Sequence, residues 1–287
     1  MNSLLDKNGR RLLLKSANRQ AFNPTVIKHR QFDCHIATAK ISGTHWLKYM
    51  LSLILAEIYN LEPPSHIIED NIVGHTKTPP KYKHIPQIAV THSHPHYLLR
   101  LPAIIDVLNL PKFMVVLRDP RDQLVSAYER FKGENLKKVL QVDYDVSFSE
   151  FLQKFSHHKK PMLDIWKILL FMNSWHGVLK THPDNTTYLR YEDLKKQTAL
   201  ELKKACDFIG IEGATDAIIE NAIENSARDK MREKLNPNDP GADKKVNLKE
   251  RNFREWYSED DKAFLNDIFD RYLKGNYGYD LKNWDEA

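Results

Sequence analysis

The sequence predicts an α/β chain: three layers, α/β/α, around a central, mainly parallel sheet, with a helical C-terminal third. Short runs rich in Val, Ile and Leu, such as residues 113–117, are apolar at every position, as strands buried on both faces are. Between them lie segments whose apolar residues recur at three- and four-residue steps, so strands alternate with helices, the order that builds parallel sheets. At residues 113–128 one such strand runs through Arg118-Asp119-Pro120-Arg121-Asp122 straight into an amphipathic helix. Charged groups then stand at the strand's carboxyl end, where open α/β sheets bind ligands.

Residues 1–30 are basic and polar with little periodicity and are expected to form an extended arm laid on the domain. Residues 32–38 read as the first strand. Trp46, Leu47, Met50, Leu51, Ile54, Leu55 and Ile58 make one wide apolar helical face, which Pro63-Pro64 ends. Residues 61–86 are a long proline-bearing connection. Residues 87–91 read as a second strand, 97–108 as a helix interrupted near Pro102, and 113–117 as the third strand. Downstream, Phe148, Phe151, Leu152 and Phe155 share a helical face, 162–180 is a helix, 186–190 a strand, and Leu202, Ala205, Cys206 and Ile209 mark a further helix. Residues 228–256 are charged and contain Asn236-Pro237-Asn238-Asp239-Pro240-Gly241, the composition of a mobile loop. Ser258 and Asp261 offer a capping box for a last helix packed through Phe264, Leu265, Ile268 and Phe269. Residues 1–287 are read as a single domain.

Of the 287 residues 41% are hydrophobic, and 43 Lys and Arg against 38 Asp and Glu leave a net charge of +5. A globular protein that favours anionic ligands follows. No run of five or six like charges and no RNA-recognition or zinc-finger pattern is present, so nucleic acid is not an expected partner. The greasiest stretch, 46–59, carries Lys48 and Glu57 and falls short of the roughly 20 apolar residues that span a bilayer. With no apolar leader at the N-terminus either, a cytoplasmic protein without a membrane partner is expected. Cys34 and Cys206 each lie in an apolar run and are expected as core thiols, not as a disulfide.

Between the first strand and its helix lies Thr38-Ala39-Lys40-Ile41-Ser42-Gly43-Thr44-His45-Trp46. Glycine permits a tight turn, and N–H groups converging on a helix N-terminus bind phosphate. The G-x-x-x-x-G-K-[ST] spacing is absent, which argues against an ordinary ATPase or GTPase. Arg118 at a strand's end and Ser126, eight residues later on the next helix, can both reach one phosphate. Taken singly, Trp46 and Tyr191 would be core aromatics, and the charges around Arg118 and Arg121 a solvated cluster. Their order along the chain points instead to a shared site.

The loop Ser42-Gly43-Thr44-His45-Trp46, the block from Arg118 to Ser126, and Tyr188-Leu189-Arg190-Tyr191-Glu192-Asp193-Leu194 together resemble the sulfotransferases that use 3′-phosphoadenosine 5′-phosphosulfate (PAPS). The resemblance covers about residues 32–281 and is to the soluble, cytosolic-type branch. It implies a P-loop NTPase-like fold and transfer of a sulfuryl group from PAPS to a hydroxyl or amine of a small-molecule acceptor. The product would be 3′,5′-adenosine bisphosphate (PAP), with no metal. Ser42, Gly43, Thr44 and His45 would surround the phosphosulfate, Trp46 and Tyr191 would contact adenine, and Arg118 and Ser126 would hold the 3′-phosphate. Lys249 and Arg251, before Trp256, fall near the family's Arg-x-Gly segment on the same phosphate, with the glycines missing. A homodimer is left open.

His92, in Val90-Thr91-His92, stands where the family places a catalytic histidine after Lys-Thr; with an ordinary pKa near 6.5 it can take the acceptor's proton. His94 is the alternative base. Alternation would put His92, His94 and His96 on one face of a strand, a metal-binding pattern, but Pro95 interrupts it and no Cys or carboxylate joins, so no metal is expected. The family's first loop usually has lysine directly before the serine. Here Ile41 holds that place, and Lys40 is expected to reach the phosphosulfate from one residue earlier. Alternatives are a catalytically weak PAP-binding protein of the same fold, in keeping with the displaced Lys40 and the eroded segment after Lys249, and a nucleotide kinase, which the missing Walker lysine disfavours. The acceptor pocket is expected within 61–86, 131–161 and 228–256, where Glu62, Glu69, Asp70, Asp143 and Asp145 either suit a cationic acceptor or are ordinary solvated carboxylates.

Overall fold

Five parallel strands form the spine of the molecule in a computed structural model that describes residues 6–155, 163–235 and 252–285. Helices α1 (Lys7–Ala21) and α2 (Thr25–Lys28) precede strand β1 (Cys34–Thr38), helix α3 (Thr44–Ile58), the two-residue strand β2 (Gly74–His75) and β3 (Ile88–Thr91). A 3₁₀ turn over Tyr97–Arg100 and α4 (Ile104–Val107) lead to β4 (Lys112–Leu117), α5 (Pro120–Phe131), α6 (Glu134–Leu140) and α7 (Phe148–Gln153). Then come α8 (Ile165–Thr181), β5 (Thr186–Arg190), α9 (Tyr191–Lys196), α10 (Thr198–Ile209), α11 (Asp216–Asn225), α12 (Arg228–Glu233), a 3₁₀ turn over Phe253–Trp256 and α13 (Glu259–Tyr272).

The strands pair in the order β2-β3-β1-β4-β5. From β1 the chain builds β2 and β3 on one side, then crosses to build β4 and β5 on the other. The carboxyl end of β1 is therefore a topological switch point, where the flanking connections part and leave a crevice.

Two-residue alternation along the strands sorts the core into two layers. Ile36, Met114 and Val116 face a layer containing Leu47, Met50 and Ile54 of α3 and Leu202 and Cys206 of α10. Ala37, Phe113, Val115 and Leu117 face the opposite layer, with Leu124, Phe151, Trp175 and Leu265. Trp175 is fully buried, packs on Phe113 and donates its indole N–H to the Ser93 carbonyl at 3.3 Å, which ties α8 to the loop after β3. The capping box at Ser258 forms, and buried Asp261 also accepts from Ser149 and Gln153, fastening α13 to α7. Cys34 and Cys206 are buried and unbridged; burial pushes their thiols up to about 12 and about 11, which keeps them protonated and inert. Among the described residues no helix is long and apolar enough to cross a membrane.

The expected extended arm over 1–30 is, where described, two helices. Asp6 caps α1 by accepting from the Gly9 N–H at 2.7 Å, while Leu12 and Gln20 are buried and Leu13 and Leu14 stand exposed. Consecutive leucines, of which one turns inward, hide the helical period from a sequence reading. The helix expected over 97–108 is split into a 3₁₀ turn and α4, because Ala103 after Pro102 takes a φ of 61°. The connection 61–86 contains β2, which pairs Gly74 with Ala89. Of the expected loop 228–256, the described ends are helical; residues 236–251, with Lys249 and Arg251, lie outside the described residues.

Candidate active site

Residues 39–43 turn the end of β1 into α3, and two of them adopt positive φ: Ile41 at 66° and Gly43 at 78°. A Cβ on Gly43 would lie 2.4 Å from Cδ2 of Tyr191, so only glycine allows both the turn and the ring's approach. Ile41, directly before the serine, where the resembled family usually has lysine, is a β-branched residue in a region such residues avoid. The surrounding bonds hold it there. The Ala39 carbonyl accepts the hydroxyls of Thr38 and Ser42, each at 2.9 Å, the Lys40 carbonyl accepts Gln123 Nε2 at 2.6 Å, and the Ile41 carbonyl accepts Arg118 Nη1 at 3.1 Å. With the loop's carbonyls taken by protein and no side chain capping α3, the helix's first N–H groups and its positive dipole end form an anion-binding terminus.

The predicted loop residues divide by function within this turn. Ser42 is fully buried, donating to Ala39 and accepting from Gln123 at 3.0 Å, so its hydroxyl braces the loop and only its backbone N–H remains for a ligand. Thr44 Oγ1 lies 2.6 Å from Thr38 Oγ1, and His45 is half-buried in the first turn of α3. Gln123 carried no signal in the sequence; its bracing role depends on where α5 packs.

Arg118 donates from Nε and Nη2 to Asp122 Oδ2 at 3.0 and 2.5 Å, and its guanidinium carbon lies 4.7 Å from the centre of the Tyr191 ring. Trp46 meets the same ring edge-on at 6.2 Å and donates its indole N–H to Ser226. Gly43, Trp46, Arg118 and Tyr191, from three separate blocks, thus share one corner. Ser126 lies half-buried on α5, one turn beyond Asp122. Arg121 points elsewhere: it pairs with Asp119 at 2.7 Å and donates to the carbonyls of Asp280, Leu281 and Asn283, clamping the C-terminal segment. Glu192 accepts the Asp119 N–H at 2.9 Å and the Tyr279 hydroxyl at 2.7 Å; desolvation raises its pKa against those bonds. It locks α9 to the β4–α5 junction.

His92 stands just beyond β3 with Nδ1 2.9 Å from the Thr38 carbonyl. A carbonyl only accepts, so Nδ1 carries the proton and Nε2 keeps its lone pair. Desolvation lowers the pKa of His92, and the nearby Lys40 charge adds to this while the Thr38 bond opposes it. Lys40 is exposed and close enough for its charge to act on that ring. His75, on β2, lies 6.3 Å from His92 between ring centres, an aromatic neighbour the sequence reading missed because β2 was hidden in a loop.

The other two histidines have different fates. His94 is buried, donates from Nδ1 to Ser174 Oγ and accepts Arg19 Nη1 on Nε2, each at 3.2 Å; desolvation drives its pKa down to about 3. Both nitrogens are engaged in the ligand-free fold, which argues against it as the alternative base. His96 donates from Nε2 to the Ala21 carbonyl at 3.1 Å and accepts the Leu98 N–H. The three rings diverge, and among the described residues no group of three His, Cys, Asp or Glu could hold a metal ion.

A cleft of about 330 Å³ opens beside His92, bordered by Asn18, Arg19, Phe22 and Asn23 from the N-terminal helix and the turn after it. It lies outside the segments where the acceptor pocket was expected. No carboxylate lines it. Asp70 pairs with Lys48, Glu69 accepts from the Ser65 N–H, Asp145 pairs with Lys137, and Glu62 and Asp143 are exposed.

A parallel sheet with an uncapped helix terminus, a half-buried, braced arginine and a base-ready histidine at its switch point is the architecture of an α/β protein suited to phosphorylated ligands. More particularly, the family model of the sulfotransferase domain matches residues 31–277, and the chain belongs to that family. It is 28% identical over 211 residues to a flavonol 4′-sulfotransferase of Flaveria chlorifolia, covering 68% of this chain and 62% of that protein. It is 27% identical over 193 residues to cytosolic sulfotransferase 14 of Arabidopsis thaliana, covering 62% and 54%. The chain thus spans less than two thirds of these relatives' lengths. The crystal structure of mouse sulfotransferase SULT7A1 complexed with PAP has the same fold, with a TM-score of 0.58, 17% identity, and coverage of 90% of this chain and 92% of that one.

Proposed function

We propose that this chain transfers a sulfuryl group from PAPS to a hydroxyl or amine of a small-molecule acceptor, with His92 as general base. The observation that carries the reading is the pairing of the Gly43 corner with a histidine whose Nε2 lone pair is kept available by the Thr38 carbonyl, on the strand beside it. The corner fits a nucleotide phosphate: its loop is the kind of cradle a single Cβ would fill, and its donors are an open helix terminus and Arg118. The amides at the start of α3 would hold the phosphosulfate, Arg118 and Ser126 the 3′-phosphate, and Trp46 and Tyr191 the base. The similarity to a cytosolic sulfotransferase supports a cytoplasmic setting.

When bound, PAPS supplies a sulfuryl group whose bond to the phosphate oxygen breaks as the acceptor's oxygen or nitrogen bonds to sulfur, in line, with little covalent work for the protein. His92 takes the acceptor's proton on Nε2, and the Thr38 carbonyl steadies the N–H of the resulting imidazolium. Desolvation, with a smaller contribution from the Lys40 charge, favours the unprotonated form of the resting ring. Arg118, held over Tyr191 and fixed by Asp122, is pre-oriented and loses little freedom on meeting a phosphate.

A thermal-shift comparison of PAP, PAPS, ATP and ATP·Mg²⁺, followed by radiolabelled transfer from PAPS to phenols, alcohols and amines, tests the proposal. Stabilisation by PAP together with transfer is expected. Stabilisation by ATP·Mg²⁺ and not by PAP would overturn it, and PAP binding without transfer to any acceptor would leave the weak-binder alternative, which Ile41 in lysine's place supports.

A further inference from the structure

The cleft beside His92 contains groups that the transfer chemistry leaves unused. Arg19 is exposed on α1, and its Nη1 rests on Nε2 of His94, a ring only 5% exposed and held from its other side by Ser174. The guanidinium is therefore braced against a neutral acceptor and not neutralised. Among the described residues no carboxylate pairs with it. Phe22, one turn further along, is 79% exposed and gives the same cleft an apolar wall. The charge that reaches the region from across the sheet, Lys40, is also positive.

His92, whose Nε2 can accept a proton, the exposed Phe22 ring and the Arg19 guanidinium line one space of about 330 Å³ and together specify a ligand with three features. It has a hydroxyl, a small apolar body and an anionic group. We propose that the acceptor is a small hydroxylated carboxylate and that Arg19 is the residue that selects its carboxylate. The role of the hydroxyl rests on the sulfotransferase reading; the recognition of the carboxylate does not. Guanidinium is suited to the task because it offers a planar pair of N–H donors that matches a carboxylate, and charge-assisted bonds of this kind are about twice as strong as neutral ones. The cleft is open to solvent and has room for a single-ring molecule.

The test measures calorimetric binding of 4-hydroxyphenylacetate and of its uncharged methyl ester, with and without PAP, to the wild-type protein, Arg19→Gln and Arg19→Glu. Gln keeps an amide N–H for His94 while removing the charge, and melting temperatures check that each variant folds. The wild type should bind the acid about tenfold or more tightly than the ester, a preference of the size a charge-assisted bond supplies. Arg19→Gln should bring the two near parity, and Arg19→Glu should favour the ester. Equal binding of acid and ester by the wild type, failure of the acid to bind, or a preference unchanged in both variants would overturn the inference. Binding of PAP, read in the same titrations, reports on the donor site alone. If PAP fails to bind, the sulfotransferase reading falls, while the acid-to-ester ratio still decides the role of Arg19.

Discussion

The two halves of the proposed site, donor and acceptor, are built in different ways. On the donor side, the proposed contacts other than Ser126, which lies further along α5, sit at strand-to-helix junctions: the loop from β1 to α3, the step from β4 to α5, and the start of α9 after β5. Its groups are cross-braced, with buried Ser42 and Gln123 under the loop and half-buried Asp122 and Tyr191 around Arg118. On the acceptor side, His92 faces an exposed cleft whose other wall is an N-terminal helix held by two histidines, His94 through Arg19 and His96 through the Ala21 carbonyl. The donor half is rigid because neighbouring strands position it. The acceptor half depends on how a terminal helix docks, which is where specificity can change without disturbing the chemistry.

If that division is real, substitutions in one half should leave the other intact. The largest expected effect is on His92→Gln, which should lower turnover by about 10²- to 10⁴-fold, the usual contribution of a general base, with PAP affinity unchanged in calorimetry. A parallel loss of PAP binding would show the halves to be one unit. Gly43→Ala should do the reverse, weakening PAP binding by about 10- to 100-fold and lowering the melting temperature, since it combines a strained positive φ of about 1–3 kcal/mol with the clash on Tyr191. Adding Tyr191→Ala should relieve the clash and recover some melting temperature without restoring PAP binding.

Acid should destabilise the fold through two buried histidines, one of which, His94, borders the cleft. His94 and buried His35 are held neutral, with pKa values driven down to about 3 and about 4 by desolvation. Below about 6.5 the unfolded chain binds protons there that the native state refuses, so stability falls as pH drops from about 6.5 towards 3, by up to roughly 5–8 kcal/mol in all. Urea titrations across that range should show the decline, and His94→Gln should make it shallower. A decline of equal steepness in the variant would place the acid sensitivity elsewhere. The smallest effect is expected from Lys40→Ala in the ligand-free protein. Removing a positive charge beside His92 should raise the pKa of that ring towards its ordinary value, as an NMR titration would show, and an unchanged value would mean that Lys40 does not face the base.

Much of the fold was legible in the sequence because strands buried on both faces and helices with one apolar face leave periodic traces. β5 lies at the residues expected, and the capping box at Ser258 formed where its spacing placed it. β2 was not legible: two residues carry no period, and only pairing with β3 makes them a strand. The N-terminal helix was missed for the related reason that its inward-facing side is sparse and its exposed side partly apolar.

The sequence by itself determined the alternation that builds the sheet, the three blocks that meet at its switch point, and the histidine that follows β3. Each of these is local, written in a few adjacent residues whose backbone geometry is set by glycine, proline and the strand-to-helix turn. Tertiary structure alone decided which nitrogen of His92 bears its proton, since the carbonyl that settles it belongs to Thr38 on another strand. It alone separated Arg118 from Arg121, and His92 from His94 and His96, though each set shares one short stretch of sequence. It alone brought Arg19 to the cleft. The physical reason is the same throughout: hydrogen bonding and desolvation are properties of the partners a side chain meets, and here those partners lie far away along the chain.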